Sequence, residues 1–307
     1  MRAVLVDATE EFDRIVRRLR RPDDIEVTIN LDPDVKPEAL PDVLGDAEIA
    51  MIDHTYLPTP VAKRCRSLKH VVFLGTGARS YMNIEELAEL GIAVHIIKGY
   101  GDTAVAECAM ALMWEAARGI SFMDRRVRSG EWIRVEGVQL TGKTLGLIGF
   151  GGIAAEMARM ASGIGMKVIA WNRTPRTVPG VTFVDLPTLL AASDVVSLHL
   201  LLNDETRGLL SRERIFAMKR GAILVNTARG DLLDEAALID ALIQGHLRHA
   251  ALDVYSVEPL QPGHPFRTME NVTLAAHSAF RTPEASDNLI EAALVHCRRI
   301  FAQSRAA

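Results

Sequence analysis

One short stretch limits the fold of this chain more than any other, an apolar run that breaks into a glycine-rich turn. Residues 144–148 are predicted to be a buried strand, and the pattern Gly149-x-Gly151-x-x-Ala154 follows. Gly149 permits a tight turn, Gly151 lets the backbone approach a pyrophosphate, and Ala154 lets the next helix pack against a sheet. Phosphates would lie at the positive end of that helix. The residues predicted to line this dinucleotide site are Gly149, Gly151, Gly152 and Ile153.

Strands and helices alternate on both sides of this turn. Strand-like runs occur at residues 3–6, 26–29, 49–52, 70–74 and 93–97, and βα units continue to residue 274. This alternation predicts an α/β protein with two doubly wound parallel-sheet domains, and a cleft between them. One long helix is predicted over residues 103–129. The last helix is predicted over residues 282–301, with Thr282 as its cap.

Composition and charge exclude several other classes of protein. The 307 residues are 49% hydrophobic and 24% charged, and the formal net charge is −4, so nothing indicates a nucleic-acid surface. Cys65, Cys108 and Cys297 are far apart and have no metal-ligand spacing. They are interpreted as free thiols, with no metal site. With no signal peptide and no apolar stretch of transmembrane length, the chain is expected to be cytoplasmic.

The strand after the glycine-rich turn ends in Asn172-Arg173-Thr174. A site that prefers NAD usually has Asp or Glu here to accept a hydrogen bond from the ribose 2′-hydroxyl. Asn172 is neutral and would not repel a 2′-phosphate, whereas Arg173 and Thr174 can bind one. The sequence therefore predicts NADP as the preferred cofactor, with NAD possible.

Three polar side chains downstream of the glycine-rich turn form a predicted catalytic group. Arg229, Glu258 and His277 each follow or end a short apolar run. Arg229 can hold a substrate carboxylate and polarise the adjacent carbonyl. His277 can deliver or accept the proton that accompanies hydride transfer, and Glu258 can orient its imidazole. Another histidine at a strand end, His54, is interpreted as structural.

Behind the glycine-rich turn, the order Arg229, Glu258, His277 resembles the D-isomer-specific 2-hydroxyacid dehydrogenase family. The stretches 197–208 and 226–238 resemble signatures of the same family. The resemblance covers nearly the whole chain. It implies a discontinuous, flavodoxin-like substrate domain of residues 1–100 plus 281–307, and a Rossmann dinucleotide domain of residues 101–280. It also implies a homodimer joined mainly through the dinucleotide domains.

The same resemblance assigns further site residues. It implies that Asp253 bonds the nicotinamide carboxamide and that Thr227 and Ala228 line the nicotinamide. His199 and Thr206 would lie near the pyrophosphate. The backbone N–H groups of a turn would bind the substrate carboxylate, together with Arg229 and His277. That turn contains Gly75, Thr76 and Gly77.

The chain departs from the family pattern at several positions near these residues. Arg79 replaces a usual Asp, Ala276 a usual Pro, Phe280 a usual small residue, and Leu201 a usual Pro. None of these changes removes a catalytic group. They leave the identity of the substrate and the shape of the pocket open.

The leading hypothesis is a D-specific reductase of small 2-oxo acids, such as glyoxylate or hydroxypyruvate, that uses NADPH. A phosphoglycerate-type dehydrogenase ranks lower because the sequence adds no basic cluster for a phosphate. Formate dehydrogenases of this fold carry Gln in place of Glu258, which argues against that chemistry here. A different class is a dinucleotide-sensing protein like the C-terminal-binding-protein corepressors, which keep the same residues. The lack of interaction tails favours an enzyme.

Overall fold

The computed structural model describes residues 1–22, 24–174 and 176–306. Its parallel strands form two sheets. The strands, in chain order, are β1 (Arg2–Leu5), β2 (Glu26–Ile29), β3 (Ile49–Ile52), β4 (His70–Phe73), β5 (Ala93–Ile96), β6 (Thr144–Ile148), β7 (Lys167–Trp171), β8 (Val181–Phe183), β9 (Val195–Leu198), β10 (Ile223–Asn226), β11 (His249–Leu252) and β12 (Val272–Leu274).

Helices lie between these strands, as a parallel sheet requires. The α-helices, in chain order, are α1 (Glu10–Leu19), α2 (Leu40–Leu44), α3 (Thr59–Ala62), α4 (Ile84–Glu89), α5 (Asp102–Arg118), α6 (Ile120–Arg128), α7 (Gly152–Gly163), α8 (Leu186–Ala192), α9 (Arg212–Phe216), α10 (Glu235–Ile243) and α11 (Pro283–Ala306). Short 3₁₀ helices cover Pro37–Ala39, Ala78–Ser80, Gly230–Leu232 and Pro265–Arg267.

The first compact unit contains residues 1–101 and 281–307. Its five strands have the order β2-β1-β3-β4-β5 and are all parallel, which is the flavodoxin-like order. The last helix, α11, belongs to this unit because its apolar face packs on the sheet. Leu289, Ile290 and Ala293 of α11 are buried against Ala3 and Leu5 of β1.

The second compact unit contains residues 102–280. Its seven parallel strands have the order β12-β11-β10-β9-β6-β7-β8. The chain runs outward from β6 in one direction through β7 and β8, then returns to the other side of β6 with β9. The order therefore reverses beside β6, and such a reversal is where doubly wound sheets bind dinucleotides. The predicted α/β class with two parallel-sheet domains is confirmed.

The predicted long helix over residues 103–129 is wrong, because the chain forms two helices there. Gly119 lies between α5 and α6 with a left-handed φ of 62°, and this conformation ends an α-helix. The final helix does start as predicted. The Ala285 N–H donates to Thr282 Oγ1 at 3.1 Å, and the helix continues to Ala306 rather than ending near residue 301.

Across the described part of the chain, no helix is both long enough and apolar enough to span a membrane.

Candidate active site

The glycine-rich turn joins β6 to α7 and has the geometry of an anion site. Gly149 has a left-handed φ of 89°, and a Cβ there would lie 2.5 Å from the His199 carbonyl oxygen. Gly151 caps α7 without a side-chain hydrogen bond, and a Cβ at this position would meet nothing within 4 Å. The space beside Gly151 is therefore open, as the close approach of a phosphate to the N-terminus of a helix requires, whereas the Asp102 carboxylate lies beside Gly152.

A buried hydroxyl without a partner lies at the end of β10. Thr227 is only 9% exposed, and its Oγ1 finds no hydrogen-bond partner among the described residues. Leaving a buried hydroxyl unsatisfied costs about 1–3 kcal/mol. A bound group that completes the hydrogen bond would remove this cost. Thr227 thus fits a site for a nicotinamide cofactor, as does the open space beside Gly151.

The end of β7 is tied to the glycine-rich turn by Asn172. Asn172 Oδ1 accepts from the Phe150 N–H at 3.2 Å, and its Nδ2 donates to the Thr174 carbonyl at 2.8 Å. The next residue, Arg173, forms an ion pair with Glu205. Asn172 therefore fixes the backbone, and Arg173 and Glu205 are the charged pair beside it.

The loop after β9 carries His199 and Thr206. His199 Nε2 lies 2.9 Å from Ser197 Oγ, and burial lowers the pKa of His199 to about 4, so the imidazole is neutral at pH 7. Thr206 Oγ1 donates to the Leu201 carbonyl at 2.6 Å and accepts from the Asn203 N–H at 2.9 Å. His199 thus borders the glycine-rich turn through its carbonyl, while the Thr206 hydroxyl shapes its own loop.

His277 and Glu258 form a close hydrogen-bonded pair. His277 Nδ1 lies 2.6 Å from Glu258 Oε2, and Glu258 Oε1 accepts from the Tyr255 N–H at 2.9 Å. Burial acts to raise the pKa of Glu258, but the hydrogen bonds from His277 and from the Tyr255 N–H outweigh it, and the pKa is lowered overall. Glu258 is therefore a carboxylate at neutral pH. Nε2 of His277 has no partner within the described residues.

A buried carboxylate holds the turn that carries His277. Asp253 is fully buried, and its two oxygens accept from the N–H groups of Ser278 (2.9 Å) and Ala279 (3.0 Å). Its carbonyl accepts from the His277 N–H at 2.8 Å. His277 has a left-handed φ of 49°, which is uncommon for a residue with a side chain. Asp253 thereby fixes a backbone conformation that presents the imidazole.

Arg229 follows β10 and is half-buried. Asn226 Oδ1 accepts from the Ala228 N–H at 3.0 Å, its Nδ2 donates to the Arg229 carbonyl at 2.9 Å, and the guanidinium donates to the Ala228 carbonyl at 2.6 Å. A Cβ at Gly230 would lie 2.0 Å from the Tyr255 carbonyl carbon. Glycine is thus required where the loop after β10 touches the loop that carries Glu258. Because of this contact, the Arg229 charge contributes to the lowered pKa of Glu258.

The turn predicted to bind the substrate carboxylate lies in the first unit, after β4. The Gly75 N–H donates to the Phe73 carbonyl at 2.8 Å, whereas the N–H groups of Thr76 and Gly77 have no acceptor among the residues that the structure describes. Arg79, which replaces the usual Asp, makes a bidentate pair with Glu85 at 2.8 and 2.5 Å. The turn thus keeps two N–H donors, and Arg79 binds a neighbouring helix.

Sequence reasoning missed three residues at this site. Tyr255 anchors the Glu258 loop by donating to the Ala275 carbonyl at 2.6 Å. An Asp102 oxygen lies so close to Gly152 that a Cβ there would be 1.7 Å from it. Glu205 pairs with Arg173 across 32 positions of sequence. No local pattern marks these contacts. Only the strand order, which brings the ends of β7 and β9 to either side of β6, could have indicated the contact between Glu205 and Arg173.

The fold and this site define a class of oxidoreductase that binds a nicotinamide dinucleotide. The sequence profile of the D-isomer specific 2-hydroxyacid dehydrogenase, NAD binding domain, matches residues 110–279. The chain belongs to the D-isomer specific 2-hydroxyacid dehydrogenase family, as the sequence motifs predicted. This is a family of NAD(P)-dependent enzymes that act on CH–OH donors.

Three relatives carry names within this class. A hydroxypyruvate reductase from Thermotoga maritima is 36% identical over 275 residues, which cover 87% of this chain and 88% of that protein. A glyoxylate reductase from Thermofilum pendens is 38% identical over 224 residues, 69% of this chain and 66% of that protein. A D-3-phosphoglycerate dehydrogenase from Archaeoglobus fulgidus is 37% identical over 247 residues, 78% of this chain but only 47% of that protein.

Solved structures of similar proteins extend over nearly the full chain. An acyclic imino acid reductase in complex with NADPH and D-Arg superposes with a TM-score of 0.87, at 28% identity, covering 99% of this chain and 98% of that one. The apo-structure of D-lactate dehydrogenase from Escherichia coli gives a TM-score of 0.86, at 27% identity, with the same coverage. Both likenesses agree with the family assignment.

Proposed function

We propose that this protein transfers a hydride between NADP(H) and a small 2-oxo or 2-hydroxy acid of the glyoxylate or hydroxypyruvate type, with D specificity. The observation that carries this proposal is the His277–Glu258 pair, at 2.6 Å, beside the half-buried Arg229. The imidazole has one nitrogen bound to a carboxylate and the other without a partner among the described residues. That arrangement suits proton transfer to a substrate oxygen.

In this proposal each side chain has a separate task. The guanidinium of Arg229 binds the substrate carboxylate and polarises the neighbouring carbonyl. His277 donates the Nε2 proton to the carbonyl oxygen during reduction and takes it back during oxidation. The Glu258 carboxylate stabilises the imidazolium and sets its orientation. The dinucleotide, when bound, supplies or accepts the hydride.

The preference for NADP is supported by the charges at the end of β7. Asn172 is neutral and its amide is engaged with the backbone, so no carboxylate at that position opposes a 2′-phosphate. Arg173 is 79% exposed at its side chain and can turn toward a phosphate. The NADPH complex of the imino acid reductase is a further support. We expect Arg173→Ala to weaken NADPH binding about tenfold and to leave NADH binding nearly unchanged, which fluorescence titration measures.

Binding of the substrate carboxylate is proposed to involve a second group of donors. The N–H groups of Thr76 and Gly77 are suited to this because neither has an acceptor among the described residues. Gly75 completes the turn. Asp253, Thr227, Ala228, His199 and Thr206 are proposed to contact the dinucleotide, as in the family.

A homodimer formed through the second unit is also proposed. Large apolar side chains are exposed on α6 and just after it, with Trp132 78%, Ile120 57% and Val127 50% exposed. Apolar groups at this density are typical of a surface that is covered by a partner. A sedimentation-equilibrium mass of two chains is expected, and a mass of one chain would contradict the dimer. The free thiols of Cys65, Cys108 and Cys297 support a reducing, cytoplasmic location.

The proposed activity is tested with purified protein, NADPH or NADH, and a panel of 2-oxo acids. Oxidation of the dinucleotide is followed by its absorbance. Glyoxylate or hydroxypyruvate is expected to give the highest kcat/KM. Phosphohydroxypyruvate belongs in the panel because one relative is a phosphoglycerate dehydrogenase. Tight dinucleotide binding with no turnover of any acid would favour a sensor over an enzyme.

A further inference from the structure

The guanidinium of Arg173, the group proposed to bind the 2′-phosphate, already has an anionic partner. It forms an ion pair with the carboxylate of Glu205, and the two side chains are 79% and 68% exposed. Asn172 cannot take part in this pairing, because its amide is bonded to the Phe150 N–H and the Thr174 carbonyl. A 2′-phosphate would therefore meet Arg173 only after the carboxylate has moved away.

The strand order explains why residues 32 positions apart lie together. In the second sheet, β7 and β9 are the two neighbours of β6. Arg173 follows β7 and Glu205 lies in the loop after β9, so both reach the edge where the glycine-rich turn begins. Parallel strands place all three carboxyl ends at one edge.

The backbone that carries Glu205 is firmly organised. Asn203 Oδ1 accepts from the N–H groups of Glu205 and Thr206, each at 3.0 Å. The Thr206 hydroxyl closes the loop by donating to the Leu201 carbonyl at 2.6 Å. These bonds fix where the Glu205 side chain begins, although its carboxylate is solvated. The carboxylate is thus presented to Arg173 by a structured turn.

We propose that Glu205 is a specificity-determining residue that competes with the 2′-phosphate of NADP(H) for Arg173. The inference rests on the proposed use of NADP. An exposed ion pair changes an equilibrium constant by about two- to fivefold, so breaking the pair with Glu205 makes the binding of the 2′-phosphate to Arg173 weaker by about that factor. NADH carries no 2′-phosphate, so the pair stays closed and NADH binding is unaffected. The Glu205 carboxylate thereby weakens the binding of NADPH relative to that of NADH.

The test is a double-mutant cycle read out as dissociation constants. NADPH and NADH are titrated against the wild type, Glu205→Gln, Arg173→Ala and the double variant, at low and high salt. Glu205→Gln is expected to tighten NADPH binding about two- to fivefold and to change NADH binding less than twofold. In the Arg173→Ala background, the same substitution is expected to have no effect. The competitors 2′,5′-ADP and 5′-AMP repeat the measurement without the nicotinamide.

Asp204→Asn is the matched control, because it removes an equal charge from the adjacent position. We expect it to leave the NADPH to NADH ratio within twofold of the wild type. Two results would overturn the proposal, because net charge alone would then explain the effect. One is an equal gain in NADPH affinity from Asp204→Asn, and the other is a gain from Glu205→Gln that persists without Arg173. The ratio of the NADPH and NADH dissociation constants of the wild type tests the proposed NADP preference by itself. If the wild type favours NADH while Glu205→Gln still tightens NADPH through Arg173, that preference fails and the role of Glu205 stands.

Discussion

The two units of this protein use the same local device at the carboxyl ends of their sheets, with different outcomes. In the first unit the fully buried Asp7, after β1, accepts from the N–H groups of Asp53, His54 and Thr55, after the neighbouring β3. In the second unit the fully buried Asp253, after β11, accepts from the N–H groups of Ser278 and Ala279, after the neighbouring β12. Each buried carboxylate therefore fixes a histidine-bearing turn.

The two histidines differ in what their second nitrogen does. His54 Nδ1 lies 3.1 Å from Asp53 Oδ2, and its Nε2 lies 2.7 Å from the Pro33 carbonyl. His277 Nδ1 lies 2.6 Å from Glu258 Oε2, while its Nε2 has no partner in the described part of the chain. Both nitrogens of His54 have partners inside the fold, which favours a structural role. The proposed reaction uses the free nitrogen, Nε2 of His277.

Replacing each of the two histidines in turn tests this comparison with the largest expected effect. We expect His277→Ala to lower kcat about 10²- to 10⁴-fold, because general acid–base catalysis contributes in that range. The dissociation constant of the dinucleotide should stay within threefold. His54→Ala is the matched control, with kcat expected within threefold of the wild type. Steady-state kinetics and titration measure both. Normal turnover by His277→Ala would remove it from the acid–base role.

Replacing the two buried carboxylates comes next in size. Asp253→Asn and Asp7→Asn each replace a buried carboxylate oxygen, which accepts a backbone N–H hydrogen bond, by an NH₂ group, which cannot accept one. We expect each to lower the free energy of unfolding by about 1.5–3 kcal/mol, the range for hydrogen bonds to charged groups. Only Asp253→Asn should also lower kcat, since it releases the His277 turn. Calorimetry and steady-state kinetics separate the effects. An equal loss of kcat in Asp7→Asn would show that the two turns do not differ in function.

The comparison also explains what the sequence could predict. The strands, the glycine-rich turn and the α/β class depend on local patterns, and the structure confirms that class. The prediction of a single long helix is wrong because one residue, Gly119, takes a left-handed conformation. A glycine permits this conformation but does not require it. The sequence does contain Asp7 and Asp253, but their bonds reach 46–48 and 25–26 positions away. Such pairings become visible only when strand neighbours are known.

The arrangement at the end of β7 was harder to predict for another reason. The sequence shows only that the side chain of Asn172 is neutral, and the bond from the Phe150 N–H adds a positional role that depends on the turn geometry. The pairing of Arg173 with Glu205 joins two exposed side chains at the surface. Exposed side chains are poorly specified by sequence because many arrangements have similar free energies. The hydrogen bond between His277 and Glu258 was easier to predict, because the order of these residues resembles that of the family.

The smallest expected effect is the pH dependence of the stability that His54 provides. The hydrogen bond to Asp53 is the main cause that raises the pKa of His54 to about 9, with burial opposing it and the charge of Asp7 adding to it. The unfolded-state pKa of histidine is about 6.5, so the folded state binds the extra proton between these values. The stabilisation is therefore complete below pH 6.5 and is lost as the pH rises through about 9.

A His54→Gln variant should therefore differ from the wild type most at pH 6 and least at pH 10. Because the His54 side chain is 44% exposed, solvent screening limits its contribution to about 1 kcal/mol or less. Thermal melting of both proteins across this pH range measures the difference. The contributions of groups that titrate equally in the two proteins cancel. Arg281 acts on Asp53 and is unchanged in the variant. A gap between the two melting curves that grew with pH would contradict a protonated His54, and with it the structural half of the comparison.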